Sequence, residues 1–404
     1  MNSAQRWLVL ALLCLVRTAV AFQFQSVAAL APDLVARLGI DYARLGTLIG
    51  LYMLPGIVVA VPGGMLGQRF GDKRVVMCGL ALMVAGGALT GLAETYWLAI
   101  AGRLIGGAGG VLVNVLLTKM VTDWFAGREI GTALSLLVAS WPLGMGAALV
   151  ADPWLASAHT PQLALHGTAL TAGLLLLAVA LAYRSPPGAG AAARPVGPML
   201  RLGLSRREFG LVTLAGLVWG LFNLGYNLLV AFAPAMLIAD GTSPTAAGLA
   251  TSLATWATIV FVPVGGVVLD RGRSATSLMG VSFAVLAAAM LLAPVAAPLT
   301  MIAAVGLIGG LPAGAIMTLP AEVLRASSRG PGMGVFFAWY YLVMAVVPPF
   351  AGATRDITGV AGAPVACGGV VEILALLALV LFRLWQARPA PLAAPVPQHL
   401  RQDG

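Results

Sequence analysis

The sequence predicts an all-α integral membrane protein, with twelve transmembrane helices in two pseudo-symmetric six-helix bundles. Its 404 residues are 60% hydrophobic and only 9% charged, with a mean hydropathy of +0.96, whereas a soluble domain runs near a quarter charged. The apolar stretches continue for 18 or more residues. Helices needing about 20 residues to cross hydrocarbon show this; the roughly ten-residue alternating strands of a β-barrel do not. The chain also repeats itself at an offset of about 202 positions. Ala31-Pro32 falls on Ala233-Pro234, Gly46 on Gly248, Gly64 on Gly266 and Arg69 on Arg271; with one residue more, Leu104 to Gly107 fall on Leu307 to Gly310. A constant offset over a whole half implies two similar bundles related by an axis along the membrane normal.

Apolar runs and helix breakers together place spans at 7–31, 45–67, 75–93, 96–119, 130–151, 162–183, 208–236, 245–269, 275–294, 299–321, 332–352 and 363–386. The first apolar pattern continues to Ala31 without a stop, so it reads as a span rather than as a cleaved signal peptide. Twelve spans use about 240 residues, which leaves no room for a soluble enzyme domain. Eighteen Arg and Lys fall on the side of the termini, three on the other (Arg37, Arg44 and Arg355), and Arg17 and Arg103 lie inside spans. That asymmetry puts both termini in the cytoplasm and accounts for the net charge of +9 without a nucleic-acid partner. Residues 184–207, rich in Pro, Gly, Ala and Arg, read as a cytoplasmic linker between a bundle over 1–183 and a bundle over 208–386. Residues 387–404 read as a disordered cytoplasmic tail. Arg outnumbers Lys 21 to 2, a bias that points to a bacterial host and so to the inner (cytoplasmic) membrane. Cys14, Cys78, Cys367 and the three histidines have no ligand spacing, so neither metal nor cofactor is expected.

The loop after the second span, Gly64-Met-Leu-Gly-Gln-Arg69-Phe-Gly71-Asp-Lys73-Arg74, resembles the Gly-x-x-x-Asp-Arg-x-Gly-Arg-Lys signature of the major facilitator superfamily. Gly266-Val-Val-Leu-Asp270-Arg271-Gly272-Arg273 keeps the Asp-Arg pair in the second half. The resemblance implies that Gly64, Arg69, Gly71, Lys73, Asp270, Arg271, Gly272 and Arg273 form the gating loops, which tie helix ends together on the cytoplasmic side and help hold the outward-facing state. Gln68 replaces the usual acid of the first loop, leaving Asp72 as the substitute. Arg103-Leu-Ile-Gly-Gly107-Ala-Gly109 is similar to the superfamily's Arg-x-x-Gln-Gly-x-Gly. Gly102, Gly106 and Gly110 lie along one helix, a spacing that permits close helix packing and does not form a phosphate loop.

An ionisable side chain in hydrocarbon needs a reason, and Arg17, Arg103 and Glu372 stand out. In the superfamily's architecture spans 1, 4, 7 and 10 line the cavity and span 12 is outermost, so Glu372 is left out of the site. Arg103 and Asn114, eleven residues apart, share a helix face; Arg103 either touches cargo or holds its helix to neighbours through backbone carbonyls. Arg17 lies too deep to snorkel, with Gln25 farther along the same helix. Trp219, Asn223, Tyr226 and Asn227 follow the i, i+4, i+7, i+8 rhythm of one face of span 7. Such a stripe is unfavourable in hydrocarbon unless it meets water, ligand or a neighbouring helix. Trp141, Tyr340 and Thr318, the last between Pro312 and Pro320, complete the expected substrate-binding set.

No Asp or Glu is embedded in spans 1, 4, 7 or 10, and an uncompensated guanidinium favours a carboxylate or another small anion. The expected function is therefore a secondary transporter, monomeric in the lipid bilayer, that moves a small organic or inorganic anion by alternating access. An Arg in the first span is similar to cyanate-permease-like members of the superfamily. An exporter of amphipathic drugs or metabolites is the alternative on the same fold. A non-transporting scaffold or sensor is the alternative of another class. No nucleophile–base grouping appears in the spans, so enzymatic activity is not expected.

Overall fold

The structure is a computed structural model and describes residues 3–125, 129–185, 204–325 and 328–388. Most of the expected linker and all but two residues of the expected tail lie outside the described residues. The first half holds α1 (Ser3–Ala29), α2 (Ala31–Leu38), α3 (Tyr42–Leu51), α4 (Gly56–Phe70), α5 (Asp72–Leu92), α6 (Tyr96–Trp124), α7 (Ile130–Ala158) and α8 (Pro161–Ala182). The second holds α9 (Arg206–Ala239), α10 (Pro244–Asp270), α11 (Ala275–Leu292), α12 (Pro298–Gly309), α13 (Ala313–Val323), α14 (Arg329–Val346), α15 (Pro348–Thr358) and α16 (Ala363–Ala387).

Among the described residues eleven spans are long and apolar enough to cross a membrane, and the pair α12–α13, bent by 41°, makes a twelfth when counted as one broken span. Three spans are broken where the sequence carries proline: α3–α4 at Pro55, α12–α13 at Pro312 and α14–α15 at Pro348, because proline lacks the N–H that would continue the ladder. Polar caps start several of the helices. Thr95, Thr160, Ser243 and Ser274 each accept from a backbone N–H of the first turn, and Ser205 with Glu208 forms a capping box on α9. Packing repeats between halves as the sequence offset requires: α1 on α7 answers α9 on α14, and α5 on α8 answers α11 on α16.

The bundles meet unequally at their two ends. On the far side, opposite the end where α1 and α9 begin, α3 lies on α15 and α7 on α10. A Cβ at Gly46 would stand on the Pro348 carbonyl, and one at Gly248 on the Leu149 carbonyl. Asp356 of α15 caps the N-terminus of α3 across the seam, accepting from Tyr42 N at 3.0 Å and Ala43 N at 2.8 Å, where the helix dipole favours negative charge. Gln25 of α1 donates to the Val230 carbonyl of α9 at 3.2 Å. On the terminal side the ion pairs Arg6–Glu129, Lys119–Asp72, Arg325–Glu208 and Arg383–Glu322 each join parts of one bundle. No ion pair among the described residues crosses between bundles there. Contacts between the bundles thus gather on the far side, while the terminal-side ion pairs stay within each half.

Gly46→Leu and Gly248→Leu are expected to oppose far-side closure by about 1–3 kcal/mol each, as overpacked contacts do. Spin labels on the exposed far-side residues Gln162 and Thr245, one in each bundle, would then report longer distances than in the parent protein. Unchanged distances would contradict the close seam.

Candidate substrate chamber

Between the two halves lies a chamber of about 560 Å³. Of the ten residues expected to bind cargo, seven line it: Arg17, Asn114, Trp141, Asn223, Tyr226, Asn227 and Tyr340. They come from both bundles, as an alternating-access site requires. A narrow extension of about 20 Å³ continues between Tyr52, Asn114, Trp141, Tyr340 and Tyr341.

Arg17 is the chamber's cation. Its guanidinium carbon stands 6.0 Å from the centre of the Trp141 ring, Nε is buried without an acceptor, and Arg17 forms no ion pair with any described residue. Facing it, the Asn223 amide donates to the Trp219 carbonyl at 2.8 Å and the Asn227 amide to the Asn223 carbonyl at 2.8 Å. These bonds turn both side chains back along α9, and Asn227 Oδ1, like Asn114 Oδ1, remains buried without a donor. The rest of the wall is mostly apolar and aromatic, with Trp219, Phe222, Ile259 and Val262, and carries the hydroxyls of Ser135 and Thr258.

Three expectations are corrected. Arg103 is 2% exposed and does not line the chamber. Its Nε donates to the Leu48 carbonyl at 2.8 Å, Nη1 to Gln23 at 2.9 Å and Nη2 to Phe24 at 3.0 Å, with the guanidinium carbon 4.5 Å from the centre of the Tyr52 ring. It shares a face with Asn114 but lies about 16 Å farther along the helix, above the chamber in the closed far side. Gln25, about 12 Å beyond Arg17, is likewise a seam residue that bonds Val230. Thr318 is not among the residues lining the chamber and donates to its own helix at Ala315; the bent span contributes Gly309 and Ala313 instead. Glu372 lies outside the chamber, as expected.

Among the described residues, no ion pair joins the two loops expected to gate. Gly64 lies in α4, and Gly71 (φ +88°) makes the turn into α5. Arg69 is exposed beside the Phe70 ring, and Lys73 donates to the Ala180 and Tyr183 carbonyls at 2.8 Å each, within its own bundle. Asp72 pairs with Lys119. Asp270, Arg271, Gly272 (φ +77°) and Arg273 are exposed at the end of α10, and none of them forms an ion pair with a described residue.

Over 13–239 and 215–401 the chain matches the family model of the Major Facilitator Superfamily. The chain belongs to this superfamily. Among curated relatives, the inner membrane transport protein YajR of Escherichia coli K12 is 29% identical over 128 residues, 32% of this chain and 27% of that protein. The 2-nitroimidazole transporter of the same organism is 27% identical over 391 residues, 93% of this chain and 95% of that protein. The matched segments of YajR and of two Aspergillus transporters cover only 27%, 25% and 38% of those proteins. A solved bacterial homologue of the human lysosomal transporter Spinster, inward-facing and occupied, superposes with a TM-score of 0.73 at 16% identity, covering 95% of this chain and 97% of that one. The nucleoside transporter NupG, solved as a point mutant, gives 0.70 at 14% identity, covering 92% and 99%. At these identities the two structures speak for the Major Facilitator fold alone.

Within that fold, sequence reasoning missed two walls of the chamber. Leu134, Ser135, Val138 and Ala139 of α7, with Thr258, Ile259, Val262 and Pro263 of α10, face it, and nothing in their residue types separates them from lipid-facing positions. Arg103→Ala is expected to lower the melting temperature of the purified protein, since each stranded buried acceptor costs about 1–3 kcal/mol. Arg103→Lys should restore little, because an ammonium cannot reproduce the planar fork. Arg17→Ala should melt as the parent does. Equal melting of both alanine variants would contradict the structural assignment of Arg103.

Proposed function

We propose that the chain is a secondary transporter that carries a small organic anion with a flat ring by alternating access. The observation that carries this reading is the Arg17 guanidinium, which forms no ion pair with any described residue and lines a chamber without a lining carboxylate: a buried cation without a counter-charge favours a cargo that brings one. The volume suits a small molecule. A compact, strongly hydrated inorganic ion would lose its water against Trp, Phe and Val without replacement, so the cargo's body is organic. Trp141, Trp219 and Tyr340 offer faces to a ring, and the free amide oxygens of Asn114 and Asn227 accept N–H or O–H groups on its rim. Cargo that bridges Arg17 and Trp141 of one half with Asn227 and Tyr340 of the other lowers the energy of the form in which both walls touch it. The asymmetry of basic residues puts the terminal side in the cytoplasm. On that orientation the chamber opens inward, the closed far side is an outer roof, and the exposed loops at Arg69 and Asp270–Arg271 belong to the released inner gate.

A second reading has its own support. The relative matched over 93% of the chain is a 2-nitroimidazole transporter, and a nitro group presents two oxygens in one plane as a carboxylate does. An uncharged nitro-heteroaromatic, or an amphipathic metabolite handled for export, fits the same walls.

Quenching of tryptophan fluorescence by aromatic carboxylates, their amide isosteres and 2-nitroimidazole, followed by counterflow of each binder in liposomes, separates the readings. Carboxylates are expected to bind best, and Arg17→Ala to weaken them about ten- to hundredfold, the worth of a charge-assisted hydrogen bond of about 1.5–3 kcal/mol. Undiminished carboxylate binding by Arg17→Ala would overturn the anion reading. Equal binding of the amide and nitro compounds would favour the second.

A further inference from the structure

Two carboxyl groups are sealed inside the protein. Asp152 of α7 and Glu372 of α16 are both 0% exposed, and no oxygen of either has a hydrogen-bond partner. An ionised carboxylate there would have no compensation. Their settings differ. Glu372 lies inside the second bundle against Gly225 of α9, where a Cβ would strike its carboxyl; rocking of rigid bundles leaves that setting unchanged.

Asp152 lies at the far-side seam. Leu149 and Pro153, which flank it on α7, both reach Gly248 of α10 in the other bundle. On α1 its polar neighbour is Ser26, next to Gln25, which bonds Val230 of α9 across the same seam. The Ser26 hydroxyl donates its proton to the Phe22 carbonyl at 2.8 Å. No charged side chain among the described residues faces Asp152 from the surrounding helices. Arg17 is about 13 Å farther down α1, Arg37 of α2 is engaged by the Gly91 and Ala93 carbonyls, His166 of α8 lies against Gly91, and α9 and α10 present Val230 and Gly248.

We propose that Asp152 is a proton-binding site that governs closure of the far side. When the bundles part there, α9 and α10 withdraw, the carboxyl meets water, and its proton leaves to that water. Closure takes a proton back, –COO⁻ + H⁺ → –COOH, before the carboxyl is sealed. The closed form holds one proton more than the open form, so acid favours closure, by at most about tenfold in the closed-to-open ratio per pH unit. The site shares the alternating-access part of the proposed function and is independent of the cargo's charge.

The test uses the full chain in nanodiscs without cargo, with Cys14, Cys78 and Cys367 replaced by Ser and spin labels on Gln162 and Thr245. Between about pH 8 and pH 5, a range that brackets a carboxyl held between water and a closed site, the parent protein is expected to shift from longer to shorter distances. Asp152→Asn, neutral at every pH, should show the short distances throughout. Glu372→Gln should titrate as the parent does. A distance distribution that ignores pH in the parent protein overturns the proposal even where Asp152→Asn fails to insert. So does an Asp152→Asn variant that titrates normally, or a Glu372→Gln variant that abolishes the shift. Loss of the anion preference with this pH profile intact would remove the cargo reading alone.

Discussion

A guanidinium or carboxyl withdrawn from water must be matched inside the protein or change its charge, and this demand organises the centre of the molecule. Arg103 shows how the match is made. In a continuous helix the Leu48 carbonyl would accept from the Tyr52 N–H, but the break ahead of Pro55 sends that N–H to Gly50 instead. The freed carbonyl accepts from Arg103 Nε. The remaining donors of the fork go to Gln23 and Phe24 of α1, so one side chain closes the open ladder of α3 and locks it to α1 and α6. Tyr52, at the break itself, covers the guanidinium and donates to Gln23 Oε1 at 3.2 Å. A proline break and a buried arginine, each unfavourable alone in hydrocarbon, satisfy one another.

The same side of the molecule holds the bundles together by backbone rather than by charge. Gly46 and Gly248 occupy equivalent places in the repeat, and each brings a helix onto a carbonyl of the opposite half. Such contacts are short-ranged and shape-dependent, so they act as a latch that is made or lost as a whole. The terminal side uses ion pairs within each bundle, which keep the helix ends of a half together without restraining the other half. Rigid halves joined at one end by a releasable seam are what a rocking motion needs.

Much of this was legible in the sequence, because hydrocarbon leaves few ways to satisfy a backbone. Long apolar runs, the offset of about 202 positions and the basic loops point to the spans and their pairing in two halves. Hydropathy does not register the breaks, since Pro55, Pro312 and Pro348 sit in runs that stay apolar across them. Seven of the ten expected binding residues reach the chamber because helical spacing tells which face a residue occupies. Spacing does not tell how high along the helix the chamber ends, and so Arg103 and Gln25, on suitable faces, belong to the seam. Asp152 escaped for a different reason. The sequence reading ends the fifth span at 151, before Asp-Pro, whereas α7 runs through Pro153 to Ala158 and carries the carboxyl into the interior.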